Sequence, residues 1–459
     1  MTSPQRTERH PVRVVHLGLG AFHRAHQAWY TQRANDASDG EGWGIAAFTG
    51  RSPRAAEVLS AQDAVYTLVE RGPGGDLAGV IQTVTSVADG GDVDRWRGAM
   101  ADPAVAVLTL TVTEAGYRPP SGDLDADLER LRSGAGAFTA PGRIVDGLRA
   151  RRNAGAGPLA VVSCDNLPHN GAVTSDAVSG LARRLDPALA AWIDAEISFV
   201  STMVDRITPA TTDADRETVL RLTGVDDAAP VVTEPFSEWV LSGAFPAGRP
   251  GWEAGGAQFV DDVEPFERRK LWLLNAGHSL LAYLGLLRGH ATVAEAMADE
   301  QCSTALEALW QEARTELPFD DAAVDAALAA LRDRFTNARI EHRLAQIATD
   351  GSQKLGPRIL DPARSRLHAG REPGAAQAGV IAAWILHLLG DRSADPGAEA
   401  LTARLRQHPD DDAALAAETV AELAPSGDLG SLPDLVREQL GALRATTTFL
   451  TTESLRGAH

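Results

Sequence analysis

Apolar and polar positions follow two different patterns along this chain. In the first half, short β-branched runs are separated by amphipathic stretches, which is typical of strands joined by helices in a doubly wound parallel sheet. The Gly/Pro-rich loop between the third and fourth runs predicts an inserted hairpin. Strands are predicted at Val12–Leu17, Gly44–Phe48, Val65–Glu70, Val80–Val87, Val105–Val112 and Leu159–Ser163, and helices at Val93–Met100, Ile144–Asn153 and Thr174–Leu185.

Beyond Gly289 the apolar positions have helical spacing almost throughout. A polar stretch with Gly, Ser and Pro, residues 348–364, interrupts this pattern and predicts a loop. The two patterns together predict an α/β protein, with a doubly wound domain at 1–262 and a mainly α-helical domain at 263–459. Helices are predicted at Val293–Glu307, Asp321–Phe335, Ile340–Ala348, Ala375–Leu389, Gly397–His408, Asp411–Leu423 and Leu435–Leu450.

Between the two patterns lies a long helix at 261–289 that carries polar residues on one face. Pro265 suits its first turn, and residues 271–287 are apolar nearly all round, which predicts a buried helix. At about 100° per residue, and with Lys270 at zero, Glu267 lies near 60°, His278 near 80° and Asn275 near 140°. A buried polar face is either satisfied by protein partners or used on a ligand.

Lys270 is one of only two lysines among the 43 basic residues, and the other is Lys354. An ammonium group can release its proton in a suitable site, whereas a guanidinium cannot. Burial and the nearby helix N-terminus both favour the neutral amine at Lys270, so a lysine general base is the hypothesis. The alternative is a structural hydrogen-bond network.

A glycine turn follows the first predicted strand. Gly18 permits the tight turn, Gly20 lets the backbone approach a pyrophosphate, and the following helix presents its N-terminus to the anion. His23 stands where the third glycine of this fingerprint is usual. The residues predicted to bind a dinucleotide are Gly18, Gly20, Phe22, Arg24, Arg51 and Thr111.

The second strand ends in Phe48-Thr49-Gly50-Arg51-Ser52, without the acid that binds the adenosine ribose hydroxyls of NAD. Arg51 is therefore either a contact for the 2′-phosphate of NADP or a surface arginine. NAD is the cofactor we expect, with NADP as the alternative.

Further polar residues follow the later strands, at the sheet edge that faces the ligand in doubly wound folds. They are Thr111, Glu114, Asp165, Asn166, Asn170 and an Asp205-Arg206 pair. Capping, an Asx turn and a plain ion pair are the respective structural alternatives. Lys354 lies in the predicted loop, either solvated or in contact with substrate.

Composition narrows the classes of function. The formal net charge of -19 argues against nucleic acid or an anionic membrane as a partner. Two cysteines exclude a disulfide framework and suit a reducing cytoplasm, and the polar opening residues predict no secretion signal. His23 and His26 are the only close histidine pair, so no metal is expected. We expect a cytoplasmic monomer or small homo-oligomer.

Several motifs together resemble the polyol-specific long-chain dehydrogenase family, that of mannitol 2-dehydrogenase and fructuronate reductase. This resemblance covers about three quarters of the chain in the family's order. It implies a Rossmann-type N-terminal domain, a helical C-terminal domain, a nicotinamide cofactor and no metal. The motifs lie at Gly18–His26, Thr111–Tyr117, Ser163–Gly171, Ser201–Pro209, Lys270–Ser279 and Asp350–Lys354.

The resemblance also implies roles for matching residues. Lys270 would be the general acid/base, Asn166 and Asn275 would polarise the substrate oxygen, and His278 would help to hold the substrate. Asp205, Glu114 and Lys354 would line the site, and Glu267 would lie behind Lys270 on a proton path.

The hypothesis is therefore metal-independent, NAD(P)-dependent interconversion of a linear polyol and its 2-ketose, of the mannitol/fructose type. Fructuronate reduction is the alternative within the family, and a hydroxy-acid dehydrogenase of the 6-phosphogluconate type is a second enzyme class. A non-catalytic NAD(H)-binding redox sensor is the alternative outside enzymes.

Overall fold

The computed structural model describes residues 3–390, 395–425, 427 and 429–446. The chain folds as two compact units, Met1–Glu264 and Pro265–His459. Each unit has its own apolar core, and the predicted order of an α/β part before a helical part is confirmed.

The N-terminal unit is built on an eight-stranded sheet. Its strand order is β11-β10-β8-β7-β6-β1-β2-β5, and its six strands from β8 to β5 are parallel. That run has the strand order of a Rossmann fold, with the crevice at the carboxyl ends of β1 and β6. The strands are β1 Val12–Leu17, β2 Gly44–Phe48, β3 Tyr66–Gly72, β4 Gly75–Ile81, β5 Val84–Ala88, β6 Val107–Leu110, β7 Leu159–Ser163, β8 Ile197–Asp205, β9 Val231–Thr233, β10 Glu238–Ser242 and β11 Gln258–Phe259.

The predicted hairpin has different bounds from those expected. Strands β3 and β4 pair as an antiparallel hairpin, and β9 joins them in a small separate sheet. The predicted strand Val80–Val87 was wrong, because it merges the end of β4 with β5, which is a strand of the main sheet. Gln82 and Thr83 separate the two without any glycine or proline to mark the break.

Helices cover both faces of the main sheet, as the amphipathic stretches between strands require. The helices of this unit are Ala21–Ala25, Gln27–Asp36, Arg54–Ser60, Val93–Met100, Glu114–Tyr117, Ser121–Ser133, Ala140–Ala154, Asn170–Leu185, Pro187–Glu196 and Asp213–Thr223, with a 3₁₀ turn at Trp252–Gly255. Sequence reasoning did not predict Ser121–Ser133 or Asp213–Thr223.

The C-terminal unit is helical around a nearly all-apolar helix, Ala375–Leu389, which packs against Ala276–Leu287 and Leu432–Thr446. The other elements are Glu264–Arg269, a π-helical stretch Lys270–Asn275, Val293–Ala298, Glu300–Arg314, Asp321–Phe335, Leu344–Ile347, Gly351–Leu355, a second π-helical stretch Gly356–Leu360, Asp361–His368, a 3₁₀ turn Pro396–Ala398, Glu399–Leu405 and Asp412–Leu423.

Three predictions for this unit were wrong. The expected loop at 348–364 is helical from Gly351 onward, because the Pro357 break is absorbed as a π turn within a continuing helix. The expected helix Ile340–Ala348 is helical only at Leu344–Ile347. The expected helix Val293–Glu307 breaks at Asp299, which caps the following helix through its side chain. The last four residues of the helix predicted at Leu435–Leu450 lie outside the described residues.

Among the described residues, none of the helices combines the length and the apolar character needed to cross a membrane.

Candidate active site

The turn after β1 is held by close backbone contacts. Gly18 has φ +112°, and a Cβ there would lie 2.4 Å from the carbonyl oxygen of Thr111, so only glycine fits. The amides of Gly18 and Leu19 both donate to the carbonyl of Phe48 at the end of β2 (2.9 Å each). The first glycine of the predicted fingerprint therefore joins the ends of three neighbouring strands.

A chain of side-chain hydrogen bonds links this turn to residues at the ends of β1 and β6. The Thr111 hydroxyl donates to the carbonyl of Gly18 (2.8 Å) and lies 3.1 Å from Nε2 of His16. The other ring nitrogen of His16 lies 2.9 Å from the hydroxyl of Thr109. His16 is fully buried, and burial lowers its pKa to about 3, so it is neutral at physiological pH.

His23, at the position of the third glycine, stacks flat on His16. The ring centroids are 3.3 Å apart and the planes are 9° from parallel. The third glycine usually allows close packing of the helix on the strand. Here the stacked rings of His23 on the helix and His16 on β1 provide that contact instead. Neither nitrogen of His23 has a hydrogen-bond partner among the described residues, and burial lowers its pKa well below the usual value.

The other predicted cofactor residues of this turn contact the protein itself. Gly20 precedes the short helix Ala21–Ala25, and Phe22 stacks on His26 with 5.0 Å between ring centroids. Arg24 donates to the carbonyl of Ala229 (2.6 Å). A cofactor role for Phe22 and Arg24 stays a prediction.

Beside the turn lies a cleft of about 460 Å³ at the carboxyl end of β2. Its lining contains four arginines, Arg24, Arg51, Arg54 and Arg216, and no acid. In a Rossmann fold this end of β2 is where the adenosine ribose binds. The described lining is therefore suited to an anionic group.

The predicted polar residues after β7 have separate functions. Asn170 clamps β8 to its own helix, because its amide accepts from the Thr202 nitrogen and donates to the Thr202 carbonyl (2.9 Å each). Asp165 accepts hydrogen bonds from the Tyr117 hydroxyl and from the backbone amide of Leu167. Asn166 is exposed. Its predicted contact with a substrate oxygen remains a prediction.

At the end of β8 Asp205 is buried, while its neighbour Arg206 forms an ion pair with Glu70 (2.6 Å). The proposed Asp205-Arg206 pair is therefore not the pairing that Arg206 uses in this structure. Glu114 begins the helix Glu114–Tyr117, and its side chain lies outside the described part of the chain.

In the C-terminal unit Lys270 and Asn275 are the two ends of the π-helical stretch. Two donors from other helices bond to carbonyls of this turn. The buried Trp310 indole donates to Leu273 (2.9 Å), and Arg358 donates to Asn275 (3.4 Å). Arg358 itself lies on the second π-helical stretch, and the two stretches pack together. Such turns occur frequently at functional sites.

The π turn also changes the helical wheel. It holds one residue more than an α turn, so rotation beyond it falls short by about 100°. His278 therefore moves from about 80° to about −20° relative to Lys270 and returns to the same side of the helix. Lys270 is half-buried and Glu267 is buried.

His278 and Asn275 carry buried polar atoms without partners among the described residues, namely Asn275 Oδ1 and His278 Nε2. His278 stacks on Phe335 (4.6 Å between centroids) and meets His342 edge to face (4.7 Å). Burial, followed by the charges of His342, Arg334 and Arg358, lowers the pKa of His278 well below its usual value. A neutral imidazole in this position can donate or accept one hydrogen bond.

Lys354 has structural partners. Its ammonium donates to the carbonyls of Thr349 (2.6 Å) and Ile347 (3.4 Å), which end a short helix. This is a typical position for a lysine near a helix C-terminus. A substrate contact from Lys354 stays a prediction.

Three possible metal ligands come together elsewhere in this unit. One ligand atom from each of His290, Asp299 and Cys302 lies within 4.8 Å of the others. Arg288 also donates to Asp299 (2.8 Å), and a guanidinium at that carboxylate opposes a cation. The sequence did not suggest this cluster, because its members are not at a recognisable spacing.

Sequence reasoning missed His342 and noted Arg358 only as a neighbour of Lys354. The signal available for Arg358 was its place in a polar stretch between apolar helices. For His342 there was no signal, because the extended backbone at 340–343 was predicted to be helical.

Family models match both parts of the chain, the mannitol dehydrogenase Rossmann domain at residues 12–254 and the mannitol dehydrogenase C-terminal domain at residues 262–445. The chain is 42% identical to D-mannonate oxidoreductase of Escherichia coli, over 78% of this chain and 76% of that protein. It is 35% identical to mannitol 2-dehydrogenase of Cereibacter sphaeroides, over 94% and 93%.

Among solved structures, the Pseudomonas fluorescens mannitol 2-dehydrogenase in complex with NAD and D-mannitol is similar, with a TM-score of 0.80 and 34% identity over 98% of this chain and 95% of that one. The matches to both family models and to these oxidoreductases over most of their length show that this chain belongs to the mannitol dehydrogenase family.

Proposed function

We propose that this chain catalyses reversible hydride transfer between a nicotinamide dinucleotide and C2 of a linear polyol or sugar acid, with Lys270 as general acid/base. The observation that carries the proposal is the buried oxygen of Asn275, which has no partner among the described residues and lies on the π turn that begins at Lys270. Leaving such an atom unpaired costs about 1–3 kcal/mol, so it suits a site that is completed by a ligand.

In the oxidising direction, neutral Lys270 takes the proton of the substrate hydroxyl, while the hydrogen on the same carbon leaves as hydride. The bound dinucleotide supplies the hydride acceptor at C4 of its nicotinamide. The Nδ2 group of the Asn275 amide donates to the oxygen as negative charge develops there, a role worth about 10²–10³ in rate for one well-placed donor. Its Oδ1, which lacks a partner among the described residues, accepts from a substrate hydroxyl. In reduction, the Lys270 ammonium returns the proton to the oxygen.

We assign no metal to this reaction. A lysine ammonium and an amide donor together stabilise the charge that a bound zinc ion would stabilise in other alcohol dehydrogenases. The same lysine also exchanges the proton. The lysine and the amide therefore supply both the proton transfer and the charge stabilisation that oxidation of a secondary alcohol needs.

One candidate substrate pair is a polyol and its 2-ketose, of the mannitol/fructose type, and the relative bound to D-mannitol supports it. The second candidate is the D-mannonate/fructuronate pair. The basic groups beside His278 favour this candidate, as does the relative named D-mannonate oxidoreductase.

For the cofactor, Gly18 leaves room for the close backbone turn that a pyrophosphate needs, and the cleft at β2 would take the adenosine ribose. Four arginines and no acid in that described lining favour a 2′-phosphate. We therefore expect NADPH to be accepted at least as well as NADH.

Replacing Lys270 tests the proposal most directly. In Lys270→Ala, kcat is expected to fall by about 10²–10⁴, because general acid–base catalysis is lost. Lys270→Arg is expected to fail as well, since a guanidinium keeps its proton. Steady-state NADH and NADPH oxidation with fructose and fructuronate gives the rates, and fluorescence titration gives cofactor binding, which should be nearly unchanged.

Arg268→Ala is the matched control, because Arg268 is an exposed cation on the same helix. Wild-type turnover in Lys270→Ala would refute the assignment. A wild-type protein that binds dinucleotide but turns over neither sugar nor other polyols would instead be a redox sensor.

A further inference from the structure

A basic cluster lies against the proposed catalytic helix of the C-terminal unit. It consists of His278 on that helix, His342, Arg334 and Arg358. These residues come from four separate segments of the sequence, so the fold brings them together. The proposed hydride and proton steps do not require His342 or Arg334.

The backbone around His342 is extended and fixed on both sides. The carbonyl of His342 accepts from the amide of Val293 (3.0 Å), and the amide of Leu344 donates to the carbonyl of Ala291 (3.0 Å). Thr292 and Arg343 form an antiparallel bridge between these bonds. These two hydrogen bonds, which make Thr292 and Arg343 a bridge pair, therefore hold the segment that presents the His342 ring to His278.

Three buried polar atoms in this cluster and its helix have no hydrogen-bond partner among the described residues. They are Nδ1 of His342, Nε2 of His278 and Oδ1 of Asn275. Asn275 and His278 are three apart on the helix, which separates their Cβ atoms by about 5–6 Å. A ligand that satisfies all three atoms therefore extends along the helix from Asn275 towards His342.

The titratable groups around these three atoms are basic residues. His342, Arg334 and Arg358 all act on His278 in the direction that opposes its protonation, and Arg334 acts on His342 in the same way. A site that resists an added proton because of nearby cations attracts an anion for the same reason. Arg358 is tied to the helix through Ser279 Oγ (3.0 Å), so its guanidinium stays beside the cluster.

We propose that His342 and Arg334, together with His278, recognise the carboxylate of a sugar acid, so that the substrate is a keto-sugar acid whose carboxylate is at the end remote from the ketone, such as fructuronate, rather than a neutral ketose. This inference rests on the proposed function, since it assigns the far end of the same substrate. His342 and His278 donate through the nitrogens that lack protein partners, and Arg334 supplies the charge. The reacting carbon lies at the Lys270 and Asn275 end.

The test compares two substrates that differ in one terminal group. Fructose and fructuronate share a six-carbon 2-keto chain and end in a hydroxymethyl and a carboxylate, respectively. Wild-type kcat/KM is expected to favour fructuronate by about 10- to 100-fold, the range for hydrogen bonds to a charged group. In His342→Leu and in Arg334→Met, kcat/KM for fructuronate should fall about tenfold or more, with little change for fructose.

Two further variants separate recognition from structure. His342→Asn keeps a polar atom near the position of Nδ1 and should retain part of the preference for the carboxylate. His387→Gln removes another half-buried histidine of this unit, far along the chain, and should leave the ratio of the two kcat/KM values unchanged. A general loss of packing would lower both values together.

The outcomes distinguish this inference from the proposed function. A wild type that prefers fructose, or a His342→Leu variant that loses both activities equally, overturns carboxylate recognition and leaves the hydride-transfer proposal intact. If Leu at 342 prevents folding, the ratio in His342→Asn and Arg334→Met decides in its place. A wild type that reduces neither compound overturns both.

Discussion

Each unit contains a pair of buried or half-buried histidines next to its part of the proposed chemistry, and the two pairs are built differently. His16 and His23 in the N-terminal unit are stacked face to face, with 3.3 Å between centroids. His278 and His342 in the C-terminal unit meet edge to face at 4.7 Å. In both units burial lowers the imidazole pKa, so all four rings are neutral near pH 7.

The difference between the pairs lies in their hydrogen bonds. His16 uses both nitrogens on Thr109 and Thr111 and so supports the glycine turn, while His23 uses neither nitrogen and acts as a flat apolar ring. His278 and His342 each leave one buried nitrogen unpaired in a basic environment. The first pair is a packing element beneath a backbone site, whereas the second has the donors and charge of a ligand site.

The largest effect is expected from breaking the backbone site itself. Gly18→Ala forces a Cβ to within 2.4 Å of the Thr111 carbonyl at φ +112°. We expect a loss of about 3 kcal/mol in the free energy of unfolding. Because the turn distorts, the dissociation constant for NADH or NADPH should rise about 100-fold. Urea unfolding and fluorescence titration measure the two quantities.

The variant Gly20→Ala tests whether the loss of stability in Gly18→Ala comes from close packing at Gly18. A Cβ at Gly20 meets only the Gly18 carbonyl, at 3.5 Å, which is ordinary contact. We expect the stability of Gly20→Ala to be unchanged while its cofactor affinity falls. Equal stability of the Gly18→Ala and Gly20→Ala variants would contradict the close packing described at Gly18.

An intermediate effect is expected at the arginine-lined cleft, where the N-terminal unit uses charged side chains. Arg51→Ala should lower kcat/KM with NADPH about tenfold and leave kcat/KM with NADH nearly unchanged, because only the 2′-phosphate needs the cation. The effect should shrink at high salt, since Arg51 is exposed.

Arg183→Ala is the matched control for the cleft, because it removes an exposed arginine from the helix Asn170–Leu185, outside the lining. The ratio of NADPH to NADH activity should stay constant in this variant. If Arg51→Ala lowers activity with both cofactors to the same degree, the 2′-phosphate assignment is wrong.

The smallest effect is expected from replacing the ring that makes no hydrogen bonds. Below about pH 6.5 the unfolded chain protonates His23, but the folded chain does not, so acid destabilises the fold. His23→Leu removes that proton uptake. Relative to wild type, the variant should gain about 1.4 kcal/mol in unfolding free energy for each pH unit below about 6.5, with turnover at pH 7 retained.

Urea unfolding of wild type and His23→Leu at pH 7.0, 6.0 and 5.5 checks this expectation. His368→Leu removes an exposed imidazole and serves as the control. A parallel pH dependence in wild type and His23→Leu would show that His23 takes up its proton in the folded state, contrary to its burial.

Local features of the site were predictable where one segment contains the whole signal. The turn at Gly18 needs only a β-branched strand, two glycines and a helix, and this order of strand, turn and helix is confirmed, while cofactor binding there stays a prediction. The polar face of the helix around Lys270 was also predicted, although the π turn shifts His278 by about 100°. Nothing in the residues 270–275 marks a π turn, because its stability depends on Trp310 and Arg358 from distant helices.

Asn170 is a residue whose position in the sequence suggested a functional contact that the structure does not show. Its place after a strand suggested a ligand contact, yet its amide holds the helix Asn170–Leu185 to strand β8 through Thr202. The sequence cannot distinguish these uses, since both need a polar residue at the same strand end.

By itself the sequence determined the order of the α/β part and the helical part, the Rossmann turn, the buried helix with its single catalytic lysine candidate and the family. These depend on periodicity, glycine positions and short motifs, which are local properties of the chain. Only the tertiary structure decided that His342 lies against His278, that four arginines line one cleft and that His23 packs on His16. The first two arrangements join residues far apart in sequence, and the third depends on the turn between His16 and His23. The energy of all three comes from burial and charge that exist only after the chain has folded.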